Sequence, residues 1–419
     1  MKLTDSPRSH LVDHGLMFLA GVPACYHCHH FNLFLDQTVD DALGPQEGLK
    51  LRFLSARSAA FDLLQALAAR AGASTPAEII QLAEETFAGM GHGRLSIRVD
   101  ADGGEAHGDH LHYGYSWREK YGHLVKRHLP ADAFAAGFAA AAASVAFGRP
   151  PSMGAEEDAC LVARAPRCHF TLKPEATPEP HRGSLSIDDS RAHVKPPLTG
   201  MNEEEITTIA AGLRDFTASV SGDERGLVQA FGVYVTAHLT CYYNRLTYDT
   251  LDAVARSAPQ SVPVVEDLFR ESAHVCVFNT FGGILLSPEW EGLVAPLEGN
   301  PEEIVTGCMA IGRALGFGQW VLQDFVPNER LVMRTPSSYE SVYTLHRRGV
   351  AERAIEYFSQ GATLAIAQLA HRVPWSARPA LDSKLYAELF RGHLPWKIEQ
   401  TRSLAMGHDY SEIVATHNG

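Results

Sequence analysis

The chain has no apolar run approaching the ~20 residues that cross a bilayer, and its start, MKLTDSPRSH, has no apolar leader core. A cytoplasmic protein is the expectation. Its basic residues gather in no stripe: 36 Lys and Arg stand against 49 Asp and Glu, for a formal charge of −13. A nucleic-acid backbone would be repelled. No GxGxxG or GxxxxGK[ST] fingerprint appears in strand-to-helix context, so nucleotide chemistry has no support. Cysteine is scarce and odd in number, seven in 419 residues. Without an export signal, that argues against a disulfide framework and for thiol or metal chemistry.

What is present is the mix of a packed globular protein: 45% hydrophobic and 20% charged residues, in a chain long enough for two domains. A Pro-rich, polar stretch from Pro174 to Pro197 divides it. The expected organisation is residues 1–173, a linker over 174–200, and 201–419. The halves read alike. In the first, a stretch ending Phe31-Asn32 is followed by helices near 59–69 and 76–90, Gly91-His92-Gly93, a strand LSIRV and an Ala-rich helix near 131–147. In the second, Phe278-Asn279 is followed by a helix capped by Asn300, Gly316-Phe317-Gly318, strands QWVLQDFV and ERLVMR, and a helix near 351–370. The fold class expected is α+β: two tandem repeats, each an antiparallel sheet with helices on one face.

Glu157, Cys160 and Cys168 follow the Ala-rich helix. With Glu157 and Cys160 on one face of a helical turn and Cys168 on a following strand, a carboxylate and two thiolates can converge on a divalent ion, zinc best. This pattern, with Phe170, resembles the end of the 4-vinyl-reductase domain family over about residues 54–172, and more faintly 289–373. The resemblance implies a lipid-sized or aromatic-ligand pocket, and zinc held by the Glu, both Cys and one further upstream Cys. No cysteine lies between Cys28 and Cys160, so a fourth ligand must come from elsewhere, His169, His110 or His112 being the candidates.

A second constellation, Cys25-Tyr26-His27-Cys28-His29-His30, packs five potential ligands into six residues. If extended, it sets Cys25, His27 and His29 on one face. Aligned on Phe-Asn, His27 and His29 match His274 and Cys276. The set suggests either a second transition metal, iron or copper, with Cys25 and Cys28 among its ligands, or a nucleophilic Cys276 activated by His274, His27 or His29.

The third feature is His110, His112, Tyr113, Tyr115 and Trp117, mirrored by Tyr339, Tyr343 and His346. Aromatic area with a few polar tips suits a pocket for a small hydrophobic or aromatic ligand. Two functions follow: a metal- or thiol-dependent enzyme acting on such a molecule, or a non-catalytic binding or sensory protein with a structural zinc. A homodimer is a further expectation.

Overall fold

The computed structural model describes residues 8–123, 127, 129–390 and 395–418; the first seven residues of the start read above lie outside them. The chain is α+β, and every strand pairing is antiparallel. One sheet runs β1 (Arg8–Leu11), β2 (Leu16–Leu19), β3 (Val22–Cys28), β9 (Val233–Leu239), β8 (Val228–Ala230). A second runs β4 (Ser96–Asp100), β5 (Gly103–Gly108), β7 (Cys168–Pro174), β6 (Met153–Ala159). The third runs β10 (Val321–Val326), β11 (Arg330–Thr335), β13 (Ser411–His417), β12 (Trp396–Arg402), in the same hairpin-to-hairpin order.

The halves correspond through their contacts as well as their order. The β2–β3 hairpin turns on Ala20-Gly21 and the β8–β9 hairpin on Phe231-Gly232, all four at positive φ, as two-residue loops that match strand twist require. The glycines around His92 and Phe317 do the same job twice. A Cβ on Gly91 would meet the Val235 carbonyl at 2.6 Å, and one on Gly316 the Ala24 carbonyl at 3.0 Å. The buried helices Ala133–Ala146 and Tyr357–Arg372 each carry the core of their half.

Three expectations change. The sequence reads as two separate domains, yet β3 pairs with β9, so the halves share the first sheet. The 174–200 segment is packed between them: it forms a helix at Ile187–His193 and sends Leu185 into the core. HVCVFN is helical, within Val262–Cys276 and a π-turn at Val277–Phe281. Val265, Phe269, Ala273 and Cys276 are buried at a spacing of three to four residues, the period of a helix face. His27 therefore corresponds to His238, each lying six residues after its hairpin glycine, Gly21 or Gly232, and not to His274.

Candidate metal centre

Four side chains from four elements meet at one end of the second sheet. Asp132 immediately precedes the Ala-rich helix, Glu157 lies on β6, Cys160 opens the tight turn after it, and Cys168 begins β7. One ligand atom from each lies within 4.8 Å of the others. This group can hold a metal ion. Glu157 sits on a strand, not on the expected helical turn; the 3-10 turn at Leu161–Ala163 is what brings Cys160 back beside Cys168.

The contacts inside the group are those of acids sharing protons. The Cys168 thiol donates to Asp132 Oδ2 at 3.1 Å and lies 3.7 Å from Cys160 Sγ. Backbone amides complete the shell: Gly114 donates to Asp132 at 3.0 Å, Leu161 to Cys168 Sγ at 3.3 Å, and Asp132 to Glu157 Oε2 at 3.0 Å. Glu157 Oε1 is enclosed and has no partner. Burial, then the charge of Cys160, raises Asp132 to about 7 and Glu157 well above its usual value. The bond from Cys168 holds Cys160 down at about 6, and the same bond, with burial, drives Cys168 up. Two carboxyls and one thiol that burial keeps protonated, beside a thiol that ionises readily, form a set whose charge a cation could neutralise.

Asp132 is the fourth member of the group, which the sequence reading missed. Its signal was an acidic residue just before an alanine run. The imidazoles proposed for that role lie elsewhere: His169 bonds Asp158 and Glu105, His110 packs on Tyr115, and His112 is in the core.

The other half holds a counterpart without cysteine. Glu356 precedes the Tyr357–Arg372 helix as Asp132 precedes its own. Gln400, Ser403 and Ser411 stand on β12, its turn and β13 at the places of Glu157, Cys160 and Cys168. There Glu356 accepts hydrogen bonds from Ser338 at 3.1 Å, Ser403 at 2.8 Å, Ser341, Ser411 and Gln400. One carboxylate satisfied by hydroxyls and an amide leaves no ligand set, whereas two carboxylates with two thiols offer one.

The second constellation divides. Cys25 and His27 are buried on β3, while Cys28 ends the strand as the N-cap of the His29–Leu43 helix, so His29 leaves the strand face. Neither Cys25 nor Cys28 joins a group of three or more ligands within 4.8 Å among the described residues. Cys276 Sγ does lie 3.5 Å from His27 Nδ1 and 3.8 Å from Thr280 Oγ1. Burial alone would push the Cys28 thiol up, but bonds with Cys276, Thr280 and the Phe31 and His30 amides hold it at about 7. His274 turns away to Gln368 at 2.7 Å and Tyr386 at 2.9 Å.

The aromatic set does not line one cavity. His112 bonds Asn32 and Tyr113 bonds His238 inside the core, Tyr115 accepts from Arg225, and Trp117 packs tilted against Tyr121 under Arg127. A cleft of about 800 Å³ opens instead between the Pro45–Ala71 and Thr240–Ser257 helices and the 174–200 segment. Leu43, Leu51, Leu54, Pro180 and Ala253 border it, together with the cations Lys50, Arg182 and Arg245 and the carboxylates Glu47, Asp249 and Asp252. No helix among the described residues is long and apolar enough to cross a membrane.

No family model, no curated protein and no solved structure matches this chain.

Proposed function

We propose that this chain is a small-molecule-binding protein whose first half is clamped by a structural zinc ion. The observation that carries this is the closed set of Asp132, Glu157, Cys160 and Cys168: structural zinc sites use four protein ligands, whereas catalytic ones leave a position open. The same group favours the resemblance to 4-vinyl-reductase domains, with Asp132 in place of the upstream cysteine. Ligand would enter the 800 Å³ cleft. Arg245 is 2% exposed, donates to the Gly183 carbonyl at 3.1 Å, leaves its Nε unpaired and has no carboxylate partner among the described residues. A buried cation without a counter-ion favours an anionic amphiphile. The test is elemental analysis of the purified protein with calorimetric titration of octanoate. One zinc per chain, and octanoate binding weakened at least tenfold by Arg245→Met, is the expected result. A parent free of metal removes the clamp, and equal octanoate binding by both proteins removes the cleft.

The second reading is thiol catalysis, favoured by the contact of Cys276 with His27 and the lowered Cys28 thiol. It requires that Cys276→Ser and His27→Phe abolish a turnover that the parent possesses, with ligand affinity unchanged.

A further inference from the structure

The correspondence between the halves supplies an internal control for the buried histidines. Around His27 stand Phe31, Phe317 and Phe358, with ring centres at 3.9, 4.7 and 4.9 Å. Around its counterpart His238 stand Tyr242, His92 and Phe134, at 4.7, 4.9 and 4.2 Å. His92 occupies the place of Phe317 between two positive-φ glycines. The next residue in each set is held alike: the His112 amide donates to the His92 carbonyl at 2.9 Å, and the Tyr339 amide to the Phe317 carbonyl at 3.4 Å. The same backbone holds Phe at the place of His92 and Tyr at the place of His112, so packing does not call for imidazole.

The imidazoles are also costly. His92 is fully buried, with the Ala237 backbone as a polar neighbour, and neither ring nitrogen makes a well-aligned hydrogen bond; His112 is 1% exposed and its Nδ1 has none. An enclosed, unpaired ring nitrogen is costly, and burial keeps both rings neutral. His112 is gripped from the other side, where Nε2 lies 3.0 Å from Asn32 Nδ2, and Asn32 is itself held by Thr236 and Tyr243. All three of its partners can exchange donor and acceptor roles, so turning the amide over would let His112 Nε2 carry the proton and leave Nδ1 with a lone pair. A neutral imidazole fixed through one nitrogen and free at the other is the usual form of a metal ligand.

We propose that His92 and His112 bind a monovalent copper ion between them, at a site separate from the carboxylate–thiolate centre. Metal–nitrogen bonds of about 2.0–2.1 Å plus the two ring radii put ring centres roughly 5.5–6.3 Å apart for a bent to linear pair; the observed separation is 5.8 Å at 75°. Two neutral nitrogens in a dry core suit a soft ion of single charge, because burying a second charge without an anion is expensive. A line of imidazoles leads there. His30 borders a cleft of about 410 Å³, its ring lies 4.0 Å from that of His29, and the buried Nε2 of His29 is also unpaired.

The test is anaerobic titration of the full, zinc-loaded chain with copper(I) against a competing chelator, comparing the parent with His92→Phe/His112→Tyr, which installs the other half's residues. The parent should take up one equivalent more than the variant, with a nitrogen-only shell in X-ray absorption and zinc content unchanged in both. Should the double variant fail to fold, His92→Phe alone is read the same way, as a loss of affinity of at least a hundredfold. Equal copper uptake by parent and variant, or a shell of sulfur only, overturns the proposal. Absence of zinc would count against the clamp and leave this comparison intact.

Discussion

Tyr26 and Ala237 face each other across the β3–β9 pairing, and each turns its amide away from the partner strand, Tyr26 to the Leu315 carbonyl at 2.8 Å and Ala237 to the Met90 carbonyl at 2.9 Å. On either side the pairs mirror each other: Cys25 with His238, His27 with Thr236. The two halves thus meet about a local twofold axis through this pair, and each supplies the other with a strand partner.

Neither half completes its core alone. Residues 1–200 and 201–419 produced separately should each aggregate or stay loosely folded, and mixing them should restore the native circular dichroism spectrum and a single gel-filtration species. A fragment that unfolds cooperatively by itself would contradict the shared sheet.

At the metal centre, Cys160→Ser/Cys168→Ser should lose the ion and lower the melting temperature. Adding Asp132→Glu and Glu157→Gln, which reproduces the Glu356 group of the other half, should recover part of the loss without metal. Calorimetry with elemental analysis decides it. A quadruple variant less stable than the double one would mean that the hydrogen-bonded solution is not transferable.

Arg52 is 1% exposed and binds Asp36 at 3.0 Å and Asp40 at 2.8 Å. Removing one member of a buried ionic set strands the others, so Arg52→Met should cost about 3–5 kcal/mol in urea unfolding. Arg127 also reaches Asp40, at 2.8 Å, so Asp36, with no second cation bonded to it among the described residues, bears most of the penalty.

Glu340 sets a pH dependence. Burial, then the neighbouring Glu356 charge, raises it from 4.5 to about 8. The unfolded chain releases this proton first, so the contribution of Glu340 is fully present below about 4.5 and is lost as pH rises through 8. Denaturation midpoints should therefore fall between about pH 5 and 8 in the parent and fall less in Glu340→Gln. Identical slopes would assign the trend to other groups.

Much of this was legible in the residues. Pro76 to Gly89, Ala133 to Ala146 and the Asn300-capped helix announce themselves by cap and period, and Glu157, Cys160 and Cys168 by spacing. What was not legible depended on contacts between distant segments. Asp132 is 25 residues from Glu157 and reaches it only because the Ala-rich helix returns to the β6 strand. The matching of His27 with His274 failed because Phe-Asn recurs by chance, while the true repeat lies in the glycine before the strand and in hydrogen bonds that sequence does not display. The aromatic cluster was misread because ring area that fills a core and ring area that lines a pocket have the same composition.

The Ala-rich helix joins two of these features. It begins at Asp132, its five residues Ala139 to Ala143 are fully enclosed, and at Gly137 a Cβ would strike the Phe53 carbonyl at 2.6 Å. Alanine has no rotamers with which to absorb a push, so the helix has no slack. The Pro45–Ala71 helix against which it packs carries Leu51, Leu54 and Ser58 into the cleft wall. The Asp132 group and the cleft wall thus lie at the two ends of one rigid strut.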